Sequence, residues 1–508
     1  MLYAEFRGVV ARSPDKVAIT VGNRSLTYRA LDARIRYVAS VLHENGVREQ
    51  EAVLLLVPNG IEFVTAVFAI LSLRAVVVPV NTRFPPDEIR FYLDSSGART
   101  VIHASDADVE AIPASVTRIG MGMHLAEEEV CASGHGLVAA LTHRGAASRA
   151  RCPDGACYRE PASNSVAPEE LAALYMYSSG STGKPKRVMR THAQLIGERQ
   201  ALAATIHLTE SDRILCTVPL YHAHGFGNCL LAALLTGGTL VIVPGEFNPR
   251  ETLRALDSES ISIYPAVPFM FKMLTEIFLK TIPDLRHLRL AFSAGAAMPD
   301  HVGQRFQEIY GVPVRQLYGS TETGAISINY AGGAGTEASV GLALSGIRID
   351  IVDESGTPVR HGEVGLVAVK SPAMTHQYDG LPEMTAECFV GGYFLPGDMG
   401  CKDEQGYLYI KGRKKLLINV AGNKVDPLDV EAVIGRHAKV SEVVVVGEAD
   451  PIYGERVKAV VVANETCEAS EIIQYCAAQL AEYKVPKLVE FRNDIPRSPL
   501  GKILRKYL

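Results

Sequence analysis

The 508-residue chain exceeds the size that a single hydrophobic core usually supports, so two or more domains are expected. Hydrophobic residues make up 47% of the chain and charged residues 21%, a composition that excludes disorder as its main state. The formal net charge of -5 comes without a basic stripe, which argues against nucleic-acid binding.

The chain begins with charged residues and lacks the apolar run of a secretory signal. No apolar segment reaches the roughly 20 residues of a membrane-spanning helix. The nine cysteines are scattered singly, and the neighbours Cys152 and Cys157 have no second pair with which to form a zinc site. We therefore expect a cytoplasmic protein with reduced thiols and no transmembrane segment.

Short apolar, β-rich runs alternate with helical patterns over most of the chain. These runs occur at residues 52–57, 75–80, 240–243 and 288–293. Because they are continuously apolar instead of alternating, they predict strands covered on both faces. The sequence therefore predicts a layered α/β fold.

The pattern changes near residue 341. Alternating strands broken by Gly-containing turns predict a small antiparallel β-barrel over about 341–411. A basic turn at 412–415 then precedes a compact α+β unit over 416–508, with a helix at 427–437, two strands at 440–450 and 456–463, and a helix at 470–483.

The segment YSSGSTGKPKR, residues 177–187, has the composition of a phosphate-binding loop. It differs from the G-x-x-x-x-G-K-[ST] motif, because Gly180 and Gly183 are too close together and Pro185 follows Lys184. Its glycines, hydroxyls and lysines could still surround an anion. Taken alone, the segment is equally consistent with a flexible surface turn.

Further motifs follow in order: PLYHAHGFG, LYGSTETG, YFLPGDMG, GRKKLLINVAGNKVDPLDVE and PRSPLGKILRKYL. Together with the loop, they closely resemble the adenylate-forming superfamily, which includes acyl- and aryl-CoA synthetases. The resemblance extends over nearly the whole chain, from Leu26 to Lys502. It implies an N-terminal core of two layered α/β subdomains and the barrel over 1–411, a hinge at 412–415 and a mobile C-terminal lid over 416–508.

The resemblance also implies an activity. ATP and a carboxylic acid form an acyl-adenylate and pyrophosphate, with Mg²⁺ on the phosphates, and a thiol then displaces AMP; this chemistry depends on positioning and electrostatics. CoA is the first choice of thiol, and a separate carrier protein is the alternative. A non-catalytic nucleotide-binding member and a luciferase-like oxygenase also remain open, as does a monomer or a homodimer.

The implied site residues fall on the quoted motifs and on SAGAAMP, residues 293–299, which resembles the family's segment lining the adenine and acyl pocket. Lys502, Thr321, Glu322 and His222 are expected to act in catalysis, with Glu322 on magnesium, Tyr318 against adenine, and Asp398 and Arg413 on the ribose. The full nucleotide-binding set is Ser178, Ser179, Gly180, Ser181, Thr182, Gly183, Lys184, Lys186, Gly295, Ala296, Ala297, Tyr318, Gly319, Ser320, Thr321, Asp398 and Arg413.

The resemblance also implies one residue for the hinge of the domain rotation and one for the tunnel through which the thiol enters. Lys415 falls on the hinge position and Gly422 on the glycine that lines the pantetheine tunnel. Two residues depart from the family pattern: Arg187 stands where the family usually has Gly, and Leu416 stands where an acidic residue is common.

By the resemblance, three segments of the chain line the acyl pocket, with His222, His224, Phe226, Asn228, Ala266, Val267, Ser293, Ala294 and Gly295. His222 replaces the Asp that binds the ammonium group in amino-acid activators, so α-amino acids are disfavoured. The His-x-His pair lacks a third ligand, which disfavours a metal site. Aromatic and medium-chain fatty acids both remain open.

Overall fold

The computed structural model describes residues 1–104, 112–121, 167–178, 185–333, 335–420, 423–450, 454–497 and 503–508. The chain divides into two compact units. The first comprises Met1–Gly332, Ala343–Ile347 and Lys370–Phe389, and the second comprises Gly333–Leu342, Arg348–Val369 and Val390–Leu508. Among the described residues, no helix combines the length and the apolar character needed to cross a membrane.

A nine-stranded sheet lies mainly in the first unit. Its strands, from edge to edge, are Leu342–Ala343, Gly324–Ile328, Val314–Ser320, Leu290–Ser293, Ile263–Ala266, Arg213–Cys216, Thr239–Ile242, Val17–Val21 and Arg24–Thr27. The central strands are parallel, while the hairpin partners Gly324–Ile328 and Arg24–Thr27 are antiparallel. The strands predicted at 240–243 and 288–293 are confirmed.

A second sheet of six strands lies in the same unit. Its order is Thr117–Met121, Thr100–Ala104, Ala52–Leu56, Val76–Pro79, Ala172–Ser178 and Lys186–Thr191. The pairs are parallel except for the last, which is an antiparallel hairpin. All residues of Val76–Pro79 are buried, as expected for a parallel strand covered on both faces.

Helices cover the sheets of the first unit. They are Leu2–Arg12, Tyr28–Glu44, Ile61–Ser72, Pro86–Ser96, His192–Ile206, Ala223–Gly225, Ala232–Thr236, Pro249–Ser258, Pro268–Glu276, Asp300–Tyr310 and Pro382–Cys388, with a π-helical turn at Phe226–Leu231 and a 3₁₀ turn at Pro168–Glu170. Ile61–Ser72 is buried on every side, because its sequence is apolar apart from Glu62, Thr65 and Ser72. The predicted α/β class is therefore confirmed.

A third sheet, of six strands, lies mainly in the second unit. Its strands are Phe389–Val390, Tyr393–Phe394, Gly365–Lys370, Asp398–Lys402 and Leu408–Arg413, with Arg348–Val352 also pairing with Gly365–Lys370. The antiparallel pairs include Asp398–Lys402 with Leu408–Arg413. The antiparallel strands expected after residue 341 are present; the division of the chain at residues 412–415 stays a prediction.

The C-terminal part of the second unit is a sheet with two helices. The strands are Asn423–Val425, Ile418–Val420, Gly454–Ala463 and Val440–Asp450, with Leu488–Phe491 parallel to Gly454–Ala463; the helices are Pro427–Ile434 and Ala469–Ala477, and 3₁₀ turns occupy Lys414–Leu416, Glu482–Lys484 and Arg505–Tyr507. Val430, Ile434, Ile472 and Cys476 bring the helices into one core with the sheet.

The last helix is shorter than the sequence predicted. The pattern predicted a helix over 470–483, whereas the helix ends at Ala477. Leu480 turns back onto the core and Val485 is buried there, so the chain leaves the helical direction to bury these apolar side chains.

A half-buried carboxylate lies at the start of the helix Pro427–Ile434. Asp426 caps the helix by accepting a hydrogen bond from the Leu428 N–H at 2.9 Å. A Cβ on Gly412 would come within 2.7 Å of Asp426 Oδ2, so the missing side chain at Gly412 leaves room for this carboxylate. Desolvation is the main cause that raises the pKa of Asp426 to about 6.

Candidate functional site

The predicted phosphate loop is the connection of a β-hairpin. Ser178 ends one strand, Lys186 begins the next, and the two residues are register partners in the antiparallel pair. Ser179, Gly180, Ser181, Thr182, Gly183 and Lys184 lie outside the described residues. The position of its two ends therefore ties the loop to the edge of the six-stranded sheet.

Arg187, the departure from the family pattern, is held by three neighbours. Its guanidinium donates hydrogen bonds to the Ser95 carbonyl and to the Asp379 carboxylate, and it lies 5.0 Å from the centre of the Tyr175 ring. Its side chain is 21% exposed. Arg187 thus fixes the strand that leaves the loop to two other segments of the first unit, a function that glycine could not perform.

Glu322 lies in the turn of a second hairpin, between the strands Val314–Ser320 and Gly324–Ile328. The residue is 6% exposed. The Tyr378 hydroxyl donates to Glu322 Oε1 at 2.9 Å, and the Thr375 N–H donates to the Glu322 carbonyl at 2.7 Å. Both the carboxylate and the backbone of Glu322 are therefore held in place.

A magnesium ion fits the chemistry of this turn. Within the part of the chain that the structure describes, no three His, Cys, Asp or Glu side chains come together as a metal-binding group. Mg²⁺ bound with a nucleotide usually takes one or two carboxylates and completes its shell with phosphate oxygens and water. A single buried carboxylate such as that of Glu322 suits this mode of binding.

Tyr378 lies outside every motif that indicates the site in the sequence. It lies 56 residues from Glu322 along the chain, its side chain is buried, and Lys186 Nζ lies 4.9 Å from the centre of its ring. Tyr378 therefore joins Lys186, at one end of the predicted phosphate loop, to the carboxylate of the second hairpin. No period or local motif signals such a contact.

The expected acyl-pocket residues meet where two parallel strands end. Ala266 and Ser293 are register partners, and the Ala294 N–H donates to the Ala266 carbonyl at 3.1 Å. His224 Nε2 donates to the same carbonyl at 3.1 Å. The short helix Ala223–Gly225 and the π-helical turn Phe226–Leu231 present the histidine to the strand ends.

His224 is neutral, and its hydrogen bonds show which nitrogen carries the proton. Because Nε2 donates to a carbonyl, Nδ1 must accept, and it does so from Asn228 Nδ2 at 2.9 Å. Desolvation is the main cause that lowers the pKa of His224 to about 4 and that of His222 to about 3. With both ring nitrogens engaged, His224 has no lone pair for a metal ion.

Two polar atoms near this cluster have no hydrogen-bond partner among the described residues: Asn228 Oδ1 and Ser293 Oγ. Asn228 is 5% and Ser293 2% exposed. Phe226 and Val267 are buried, whereas Gly295, Ala296 and Ala297 are exposed and leave their backbone accessible. The expected acyl region is thus uncharged and largely buried, with an open edge at 295–297.

The second unit brings Asp398 and Arg413 together. They are register partners on neighbouring strands, and Arg413 Nε lies 2.9 Å from Asp398 Oδ1. Asp398 is 4% exposed. Lys415 lies in a 3₁₀ turn after Arg413, but its side chain is outside the described set, as are Gly422 and Lys502 altogether.

Comparison with known proteins covers nearly the whole chain. A family model described as "AMP-binding enzyme" matches residues 6–379, and "AMP-binding enzyme C-terminal domain" matches residues 429–502. A long-chain-fatty-acid–CoA ligase, FadD13 of Mycobacterium tuberculosis, is 33% identical over 494 residues, which are 95% of this chain and 92% of that protein. A feruloyl-CoA synthase of Amycolatopsis sp. is 32% identical over 500 residues, which are 97% and 95% of the two chains.

A solved structure shows the same architecture. The o-succinylbenzoate CoA synthetase of Bacillus subtilis, in complex with the acyl-adenylate intermediate OSB-AMP, superposes with a TM-score of 0.84 at 26% identity. The match covers 99% of this chain and 97% of that one.

Proposed function

This chain belongs to the AMP-binding enzyme family, and we propose that it is an ATP-dependent acid–CoA ligase that activates an aromatic or medium-chain fatty acid. The resemblance found in the ordered motifs is confirmed by the family models, which match residues 6–379 and 429–502. The similar proteins are named as CoA ligases or CoA synthetases, so loading of a carrier protein is not favoured.

The observation that carries the proposal is the buried carboxylate of Glu322, which lies in the same hairpin turn as Thr321. The Tyr378 hydroxyl holds this carboxylate in place. In the first half-reaction, the acid's carboxylate attacks the α-phosphorus of ATP and pyrophosphate leaves. Magnesium, when bound, neutralises phosphate charge. We assign Glu322 to hold it, Thr321 to orient the α-phosphate, and the loop ending in Lys186 to contact the β- and γ-phosphates.

Asp398 and Arg413 support nucleotide binding in the second unit. A carboxylate accepts hydrogen bonds from two vicinal hydroxyls, and the 2.9 Å contact between Arg413 Nε and Asp398 Oδ1 orients this carboxylate. We propose that this pair binds the ribose. We assign Lys502 to supply a positive charge between the carboxylate and the α-phosphate in the first half-reaction, and Gly422 to the thiol path in the second, as the resemblance implies.

The uncharged acyl region supports an acid whose tail carries no charge. His222 and His224 are neutral above about pH 4, because desolvation lowers both pKa values. A cationic α-amine buried there would have no counter-charge among the residues expected to line the pocket, and its desolvation would be costly. We therefore propose benzoic, cinnamic or medium-chain fatty acids as substrates and disfavour amino acids.

Pyrophosphate release tests the proposal. The purified chain is incubated with ATP, Mg²⁺ and one acid at a time from fatty, benzoic, cinnamic and amino-acid sets, with and without CoA. We expect CoA-dependent turnover with at least one uncharged acid and formation of its CoA thioester. If no acid causes pyrophosphate release, the proposal is contradicted and a protein that only binds nucleotide is favoured. If acyl-AMP forms and CoA does not consume it, a carrier protein is favoured as the acceptor.

A further inference from the structure

A buried ion pair lies beside the predicted nucleotide site and has no role in the function described so far. Arg190, on the strand Lys186–Thr191, places Nη2 2.9 Å from Oε2 of Glu198, on the helix His192–Ile206. The two side chains are 2% and 4% exposed. Burying two charges is costly, so such a pair is weak evidence of a gain in stability.

The arginine also contacts the turn that carries Thr321 and Glu322. Arg190 Nη1 donates to the Thr321 carbonyl at 3.1 Å. One planar guanidinium thus binds Glu198 through Nη2 and the Thr321 carbonyl through Nη1. Arg190 also stands four residues after Lys186, at which the phosphate loop ends.

The glutamate contacts the other end of the same turn. Its carboxylate accepts a hydrogen bond from the Ala325 backbone. A Cβ on Gly324 would come within 2.2 Å of Glu198 Cδ, and a Cβ on Gly227 within 2.1 Å of Glu198 Oε1. The carboxylate therefore fills a space that exists because both positions lack side chains.

We propose that Arg190 and Glu198 are a positioning pair that fixes the turn of Thr321 and Glu322 relative to the strand leaving the phosphate loop. The inference rests on the proposed function, which places ATP phosphates against both segments. An in-line attack is sensitive to displacements of about 1 Å. The pair holds the Thr321 carbonyl and the Ala325 N–H at fixed points, so it acts through the turn and does not touch the substrate.

The substitution Arg190→Lys separates positioning from charge balance. Lysine keeps the positive charge beside Glu198, but its single ammonium lacks the planar fork that reaches Glu198 and the Thr321 carbonyl together. We expect a roughly tenfold lower kcat for pyrophosphate release and a raised Mg²⁺ requirement, with the thermal midpoint retained. A pair that only balances charge would leave both kinetic quantities unchanged.

The matched control is Arg289→Lys. Arg289 binds Asp212 through a similar fork, with Nε 2.9 Å from Oδ1 and Nη2 2.9 Å from Oδ2. It precedes the strand Leu290–Ser293, at the opposite end from Ala266 and Ser293. This variant should keep wild-type kinetics.

The double variant Arg190→Met/Glu198→Met guards against a folding defect, because replacing both members of a buried pair by apolar side chains of similar volume usually preserves stability. We expect it to fold and to lose about 10²-fold in kcat/KM for ATP. Wild-type kinetics in the folded Arg190→Lys and double variants would overturn the proposal.

Equilibrium binding of Mg-ATP gives a readout that requires no acid. If the wild-type chain releases no pyrophosphate with any acid, the proposed ligase function fails. Weaker Mg-ATP binding by Arg190→Lys than by wild type and Arg289→Lys would still support the positioning pair, and equal binding by all three would overturn it.

Discussion

The phosphate side and the acyl side of the predicted site in the first unit differ in their electrostatics. On the phosphate side, Arg187 pairs with Asp379, Arg190 with Glu198, and Tyr378 binds the Glu322 carboxylate. On the acyl side, the side chains expected to line the pocket are apolar or neutral, including both histidines. If the proposed function holds, this difference predicts that nucleotide chemistry depends on fixed charges, whereas the choice of acid depends on shape and hydrogen bonding.

The largest effect is expected where the two sides meet, at the bond between carboxylate and α-phosphorus. Lys502→Ala should slow adenylation by at least ~10²–10³-fold, since it removes one donor to the developing charge. Thioester formation from supplied acyl-AMP should be spared. Single-turnover assays of the two half-reactions measure this, with Lys506→Ala as the control; equal losses in both half-reactions would refute the role.

A test of the phosphate side is Glu322→Gln. Removing the charge that we assign to magnesium should lower pyrophosphate release by about 10²-fold, and by the same factor for every accepted acid. A Mg²⁺ titration should show a higher requirement. Glu404→Gln, at an exposed turn of the second unit, is the control. A loss confined to some acids would place Glu322 on the acyl side instead.

A charge placed on the acyl side should impair the use of the acid and leave the KM for ATP unchanged. Asn228 is 5% exposed and contacts His224, so Asn228→Asp would place a carboxylate in a buried position beside this histidine. We expect a loss of at least about tenfold in kcat/KM for neutral acids, with the KM for ATP unchanged, because the cost arises from desolvating the new charge. Asn228→Leu removes the amide without adding a charge, so it measures the effect of losing the amide alone. A raised KM for ATP would show that the two sides are not independent.

The smallest kinetic effect is expected at Arg187. Arg187→Gly restores the residue that the family usually has and removes the contacts with Ser95, Asp379 and Tyr175. Because the pair with Asp379 is partly exposed, the KM for ATP should change by no more than about fivefold. Asp379→Asn should shift it in the same direction. An unchanged KM for ATP in both variants would show that the contact between Arg187 and Asp379 does not affect ATP binding.

The sequence predicted the parts of this molecule that are recorded locally. Continuous apolar runs gave Ala52–Leu56 and Leu290–Ser293, because strands covered on both faces must be apolar throughout. The ordered motifs indicated the family and predicted site roles for Glu322 and Asp398. The structure places Asp398 beside Arg413 and Ala266 beside Ser293.

Tertiary contacts were not predictable in the same way. Tyr378 reaches Glu322 across 56 residues, and Arg190 reaches Thr321 across 131. Such separations leave no periodic pattern, and Arg190 and Glu198 each look like ordinary surface residues in the sequence. The final helix was predicted too long for a related reason: burial of Leu480 and Val485 ends it, and that burial depends on the sheet.

Asp426 couples folding of the second unit to proton uptake. Its pKa is raised in the folded state to about 6, so between its ordinary value near 3.8 and about 6 the folded chain holds a proton that the unfolded chain has released. Its stabilising contribution is full below the lower value and is lost as the pH rises through the higher one. Asp426→Asn keeps a capping side chain without the titration, so it should raise the thermal midpoint relative to wild type near pH 8 and leave it similar near pH 4. The same carboxylate that starts the helix therefore makes this unit a proton acceptor as it folds.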